Sequence, residues 1–360
     1  MPKKKQKRKN NPITLPFVSI CTPTFNRRPF IPSLIECYKH QKYPKDRMEW
    51  IIIDDGTDKI EDLFVDIDIP NVRYIKLDSK ITLGKKRNLM HTYCKGDIIV
   101  YMDDDDYYPP TRVSHAVEKL LSNPDALAAG SSEMYIYFKN IATMYQFGPY
   151  GPNHATAGTF AFKKELLTKT KYNETKCLAE EKEFLQNFTI PFVQLDPKHV
   201  ILVFSHKHNT CDKSKLLVNP NTKYIRKSAK TVNYFIKEPF LLEWFTNRID
   251  IELDKYEPGL PKYKPDVLEQ LRQFEERYNK IKPPADVGIT IQRKGKSPLK
   301  LNQDQVVTLL QEQQNKIKEL LSQNNRLQSL CELQQDKLSQ LTSSDIKDHI
   351  TQAANLNMNS

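Results

Sequence analysis

Between Phe17 and Met102, short apolar runs alternate with helical patterns. Residues 17–21, 49–54 and 97–102 read as strands, because nearly continuous apolar runs of this length suit strands buried on both faces, and 72–77, interrupted by Arg73 and Lys76, reads as a further strand. Residues 29–40 read as a helix opened by proline, and 83–94 as a second helix. Strands alternating with helices predict the α/β class, a mainly parallel sheet whose strand C-termini share one edge, where such sheets bind ligands. Farther along, the Tyr-, Met- and Phe-rich stretch 133–147 predicts antiparallel strands, 178–187 a helix, and 192–195 and 200–204 further apolar runs. Helical patterns dominate 225–278, where Trp244 and its aromatic neighbours read as packing residues. Pro283, Pro284, Gly288, Gly295 and Pro298 mark 282–300 as a linker.

Beyond the linker a heptad repeat takes over. Its a positions hold Gln303, Leu310, Ile317, Asn324, Cys331 and Leu338, and its d positions Val306, Gln313, Leu320, Leu327, Gln334 and Leu341. Aliphatic residues along that seam, with Asn324 as a register-fixing polar residue, predict a coiled coil over 301–342 that makes the protein a homo-oligomer through 303–341. A glutamine-rich amphipathic helix folding back on the globular part fits the same pattern. Residues 343–360 are expected to be disordered.

Charge changes this picture little. The net charge is +11, and Lys3, Lys4, Lys5, Lys7, Arg8 and Lys9 supply six of those charges from a tail expected to be disordered over 1–14. Such a run reads as a nuclear address, a polyanion-binding arm or a solvated tail. Since the excess belongs to the tail, nucleic acid is not an expected partner. Six cysteines without a CxxC pair argue against structural zinc and a disulfide framework, and read as reduced thiols of a cytosolic protein. No apolar stretch is long enough for a membrane span, and the N-terminus carries no apolar signal region. Two glycosylation sequons, at Asn173 and Asn187, read as chance matches. The Lys- and Asn-rich composition fits an AT-rich genome, such as that of a large DNA virus or a protist.

The chemistry concentrates at strand ends. Asp103, Asp104, Asp105 and Asp106 follow the fourth apolar run directly. Carboxylates packed so closely raise one another's pKa, and a divalent cation relieves the repulsion while neutralising a diphosphate. An exposed acidic turn is the plainer reading of that cluster alone. The first run ends in Thr22-Pro23-Thr24-Phe25-Asn26-Arg27, the second in Asp54-Asp55-Gly56-Thr57, and the second helix opens Leu83-Gly84-Lys85-Lys86-Arg87-Asn88. Together these put a polar turn, two carboxylates, a basic helix start and an acidic cluster on one edge, as a nucleoside diphosphate requires.

These motifs, P-T-F-N at 23–26, D-D-G-T at 54–57, G-K-K-R-N at 84–88 and D-D-D-D-Y-Y at 103–108, resemble the family 2 glycosyltransferases of the GT-A fold over about 15–235, leaving 236–281 as a helical extension. The resemblance implies an inverting transferase that uses a nucleotide-sugar donor, usually UDP-linked, with Mn²⁺ or Mg²⁺, and a glycan or protein acceptor. It implies that Pro23, Thr24, Phe25, Asn26, Asp54, Asp55, Arg87, Asn88, Asp103 and Asp104 bind the donor, with Asp55 at the base and Arg87 near the diphosphate. Asp103, Asp105 and His206 are implied as the metal ligands, with His208 as the substitute for His206. Glu181 stands where the family carries the Asp of an E-D pair that deprotonates the acceptor, and Glu180 is the alternative base. The loop 148–154 and the strand start 157–160 are expected on the acceptor side. A nucleotidyltransferase of the same fold, or a non-catalytic oligomeric scaffold binding polyanions through its tail, are the competing readings.

Overall fold

A computed structural model describes residues 15–218, 220–281, 289–293, 296–301 and 303–356; the basic tail, residues 282–288 and the last four residues lie outside them. The chain divides into two compact units, Met1–Glu275 and Glu276–Ser360.

In the first unit the predicted apolar runs become β1 (Val18–Thr24), β2 (Met48–Asp54), β3 (Val72–Lys76) and β4 (Ile98–Tyr101), with α1 (Ile31–Lys39) and α2 (Leu83–Tyr93) between them and α3 (Arg112–Ser122) after β4. The chain continues through β5 (Ala128–Gly130), β6 (Met134–Phe138), β7 (Thr143–Phe147), β8 (Ala161–Lys163), α4 (Glu181–Phe184), β9 (Phe192–Gln194), β10 (Leu202–Ser205) and β11 (Ile225–Lys227). It closes with α5 (Val232–Phe235), α6 (Pro239–Glu243), α7 (Ile249–Asp254) and α8 (Pro265–Ile281). Seven strands form one sheet in the order β3-β2-β1-β4-β8-β5-β9, in which β8 alone runs against its neighbours. The expected mainly parallel α/β sheet is therefore present; Thr24 and Asp54 end side by side on its C-terminal edge, and β4 ends on the same side with Tyr101 beside Cys21.

The period of two explains why the strands read as unbroken apolar runs. Along β2, Met48, Trp50 and Ile52 enter one core while Ile51 and Ile53 enter the other, so both faces are covered. A second sheet, β10-β6-β7-β11, carries the aromatic stretch expected to be antiparallel. The helix expected over 178–187 shrinks to the single turn α4. Ala179 before it and Gln186, Asn187 and Phe188 after it hold left-handed φ values, a conformation that stops a helix of L-residues at both ends.

The second unit corrects two sequence-based expectations. The supposed linker contains an antiparallel hairpin, β12 (Ile289–Arg293) and β13 (Lys296–Leu301). A two-stranded sheet has only edges, so Pro298 fits where an inner strand would reject it. The helix α9 (Gln303–Leu356) runs through the predicted coiled coil and on through residues expected to be disordered. Its 54 residues span about 80 Å at helical rise. Among the described residues no helix is long and apolar enough to cross a membrane.

Candidate active site

The edge is first of all braced. Asn26, in the left-handed region at φ 52°, accepts the backbone N–H groups of Thr57 (2.7 Å) and Asp58 (3.0 Å) and donates to the Pro258 carbonyl (3.0 Å). Gly56 makes that clip possible: a Cβ there would lie 2.6 Å from the Asn26 nitrogen. Asp54 accepts from the Gly56 and Ile60 amides and from the Tyr74 hydroxyl (2.8, 3.2 and 2.7 Å). Asp55 is wholly enclosed, accepting the Ile81 amide at 2.8 Å and pairing with the Lys86 ammonium. Asn88 brackets Tyr172, accepting from its N–H and donating to its carbonyl, each at 2.9 Å. These four predicted donor residues are thus occupied in holding turns together.

The other predicted residues converge. Pro23 and Thr24 at the end of β1 and Phe25 after it, Arg87 of α2, Asp103, Asp104 and Asp105 after β4, and Glu180 before α4 line a cavity of about 240 Å³. Arg87, buried, donates to Glu180 at 3.0 Å, lies 3.8 Å from Asp103, and has its guanidinium over the Tyr101 ring at 4.4 Å. It therefore ties the acidic motif after β4 to the acidic pair at α4. Arg27 lies 3.5 Å from Asp104 and 3.3 Å from Asp105, and donates to the His208 carbonyl at 2.7 Å. Gly158 packs so closely on this cluster that a Cβ would lie 2.9 Å from Asp103 Oδ2. Behind it the enclosed Arg112 donates to the Tyr101, Thr159 and Phe160 carbonyls (3.2, 2.9 and 2.6 Å), which fixes the end of β4 against that loop.

Burial divides the carboxylates. It raises Asp103, against the pull of Arg87, and raises Asp104 to about 7, against the pull of Arg27. Asp105 is buried too, yet Arg27 and His206 hold it well below the usual carboxylate range, so it stays ionised. Glu181, half-buried just outside the cavity lining, is raised to about 7 by burial and by the neighbouring Glu180. Glu180 is committed to Arg87, whereas Glu181 makes no side-chain ion pair among the described residues.

His206 Nε2 lies 3.5 Å from Asp105 Oδ2, while His208 turns away to lie 3.3 Å from the Leu253 carbonyl. Burial lowers His206 to about 3, so its imidazole is neutral at neutral pH, the form a metal takes as ligand. Among the described residues no three acidic, His or Cys side chains converge as a ready-made cage. A cation shared with substrate phosphates needs less, one or two carboxylates plus phosphate and water oxygens. Asp105, His206 and the hydrogen-bond-free Asp103 Oδ1 fit that demand.

Sequence reasoning missed several cavity residues. Arg27 directly follows P-T-F-N, and Lys86 precedes Arg87 within its own motif, so both were legible. Lys264 and Asp266 come from the helical extension assigned outside the domain, and no local pattern marks them.

An open, mainly parallel sheet with paired cations and carboxylates gathered at its C-terminal edge places this cluster where open α/β folds hold their ligands. Residues 19–183, just under half of the chain, match the family described as Glycosyl transferase family 2, and this part of the chain belongs to that family. An uncharacterized glycosyltransferase of Haemophilus influenzae is 27% identical over 108 residues, 30% of this chain and 36% of that protein. WcaA of Escherichia coli K12, a candidate colanic acid biosynthesis glycosyl transferase, is 30% identical over 109 residues, 29% of this chain and 37% of its own. The chain thus spans little more than a third of these relatives. Among solved structures, the mannosyltransferase PcManGT from Pyrobaculum calidifontis in complex with GDP-Man and Mn²⁺ aligns at TM-score 0.45 and 15% identity, covering 75% of this chain and 84% of that one. S. aureus TarS 1-349 in complex with UDP-GlcNAc aligns at 0.41 and 15%, covering 79% and 99%.

Proposed function

We propose that this protein is an inverting, metal-dependent glycosyltransferase that moves a sugar from a nucleotide-sugar, UDP-linked, to a hydroxyl of a glycan or protein acceptor. The observation that carries this reading is the convergence, inside a family 2 domain, of Asp103, Asp105, Arg87 and the Glu180–Glu181 pair around one cavity. Pro23, Thr24 and Phe25 would contact the donor's nucleoside, with Asp54, Asp55 and Asn88 bracing the turns that shape the pocket. Asp103, Asp105 and His206 would hold Mn²⁺ or Mg²⁺, which when bound supplies positive charge against the diphosphate.

Glu181 acts as the base. The acceptor oxygen attacks the anomeric carbon, its proton passes to the Glu181 carboxylate, and the bond to the diphosphate oxygen breaks with its electron pair on the leaving group. A base near pKa 7 is about half ionised at neutral pH, so a substantial fraction is ready to accept the proton. Glu180 orients Arg87, and both keep the charge around Asp103 balanced. This free carboxylate favours glycosyl transfer over nucleotidyl transfer, which needs no base on an acceptor sugar hydroxyl. Calorimetry tests the donor half: Mn²⁺-dependent UDP binding should be lost in Asp105→Ala, and unchanged affinity in that variant would overturn the assignment.

The assembly belongs to the same proposal. Leu310, Ile317, Leu320 and Leu327 lie between 51% and 61% exposed along α9. Such a seam supports a parallel homo-oligomeric coiled coil with Asn324 setting register. A cytosolic location is supported by all six cysteines being free thiols.

A further inference from the structure

Pair by pair, the cations around the cavity are satisfied. Lys86 is paired with Asp55, Arg87 with Glu180, Arg27 with Asp104 and Asp105, and Lys80 with Asp266. Lys264 differs. It is 6% exposed, lines the same cavity, and among the described residues its ammonium forms no ion pair; its hydrogen bond is to the Thr210 hydroxyl at 3.2 Å. An ammonium removed from water without a counterion is destabilising, so the chain retains it at a cost.

The backbone that carries it is pinned on both sides of the cavity. On one side Tyr256 donates to Asp58 at 2.8 Å, Pro258 accepts from Asn26, and a Cβ on Gly259 would lie 2.6 Å from the Asn26 carbonyl oxygen. On the other, Gln270 accepts the Cys177 amide at 2.9 Å and donates to the Thr175 carbonyl at 2.7 Å, while Asp266 accepts from the Cys177 thiol at 3.1 Å. Residues 256–270 therefore bridge the turn after β1 and the loop before Glu180, and Lys264 stands between the two anchors. The family match ends at 183, well before this segment.

We propose that residues 256–270 form a wall of the donor site and that Lys264 binds the diphosphate, both in the nucleotide-sugar and in the departing nucleoside diphosphate. This rests on the nucleotide-sugar reading above. The anion supplies the direct ion pair that no described carboxylate makes with Lys264, whose acidic neighbours, Asp104 and Asp105, act on it only from beyond ion-pair distance. Burial already lowers Lys264 to about 7, and a bound diphosphate reverses that shift by favouring the protonated form.

The test compares native protein, Lys264→Met and Lys264→Arg for binding of UDP and of uridine with Mn²⁺, together with ligand-free melting temperature. Lys264→Met should weaken UDP by about tenfold or more, the range of one charge-assisted hydrogen bond, and leave uridine unchanged. Its ligand-free melting temperature should equal or exceed the native value, and Lys264→Arg should retain most of the UDP affinity. UDP affinity within twofold of native in folded Lys264→Met overturns the proposal while leaving the donor reading intact. A lowered melting temperature with UDP and uridine weakened alike assigns Lys264 a structural role and overturns it too. Native protein that binds none of UDP, GDP, ADP or CDP overturns the donor reading itself and this inference with it.

Discussion

Two adjacent carboxylates, Glu180 and Glu181, show how burial and partners split like residues into different roles. Glu180→Gln breaks an ion pair whose members are 4% and 2% exposed, leaving the Arg87 charge poorly compensated. It should cost about 3 kcal/mol of stability, measured by denaturant unfolding. Glu181→Gln should fold normally and bind donor while transfer falls by about 10² to 10⁴. Because burial favours the protonated form of Glu181, the folded protein holds that proton from the ordinary carboxylate range up to about 7. Its contribution to stability therefore declines as pH rises through that window, and Glu181→Gln should be no less stable than native at pH 8. The rate runs the other way: kcat/KM should rise with pH to a plateau above about 7, a limb that Glu181→Gln should lack. A full-rate Glu181→Gln with a silenced, folded Glu180→Gln would move the base to Glu180. At this scale the sequence was informative for residues inside a motif and silent for Lys264, whose place depends on a backbone anchored from two distant segments.

Elements with strong periodicity were legible, and those bounded by backbone conformation were not. Three of the first four strands, β1, β2 and β4, were readable because both faces are buried, β3 because its apolar residues stand out though it is half-exposed at the sheet edge, and α2 because its motif opens a helix. The reduction of 178–187 to one turn depends on left-handed residues that carry no glycine signal. The hairpin at 289–301 was hidden by Pro298 and flanking glycines, which a two-stranded sheet tolerates. For α9 the exposed seam leads to a concentration-dependent oligomer. Light scattering should find a dimer or higher assembly for the full chain and a monomer after truncation at Ile281. A full-length monomer at micromolar concentration would contradict the coiled coil. Specific activity on a small acceptor should survive the truncation, while avidity for a polymeric acceptor should fall.

At the scale of the whole molecule, one sheet edge collects the end of β1, the start of α2, the acidic turn after β4 and α4, and the helical extension completes the enclosure. The account's central claim is that this enclosure transfers a sugar from a nucleotide donor. The direct measurement is release of nucleoside diphosphate from a panel of UDP-Glc, UDP-GlcNAc, UDP-Gal and GDP-Man, with Mn²⁺ and with chelator, in native protein and Asp105→Ala. The account predicts release from at least one donor that requires the metal and disappears in the variant. Release by Asp105→Ala equal to native, or none from any donor by folded protein, would contradict it.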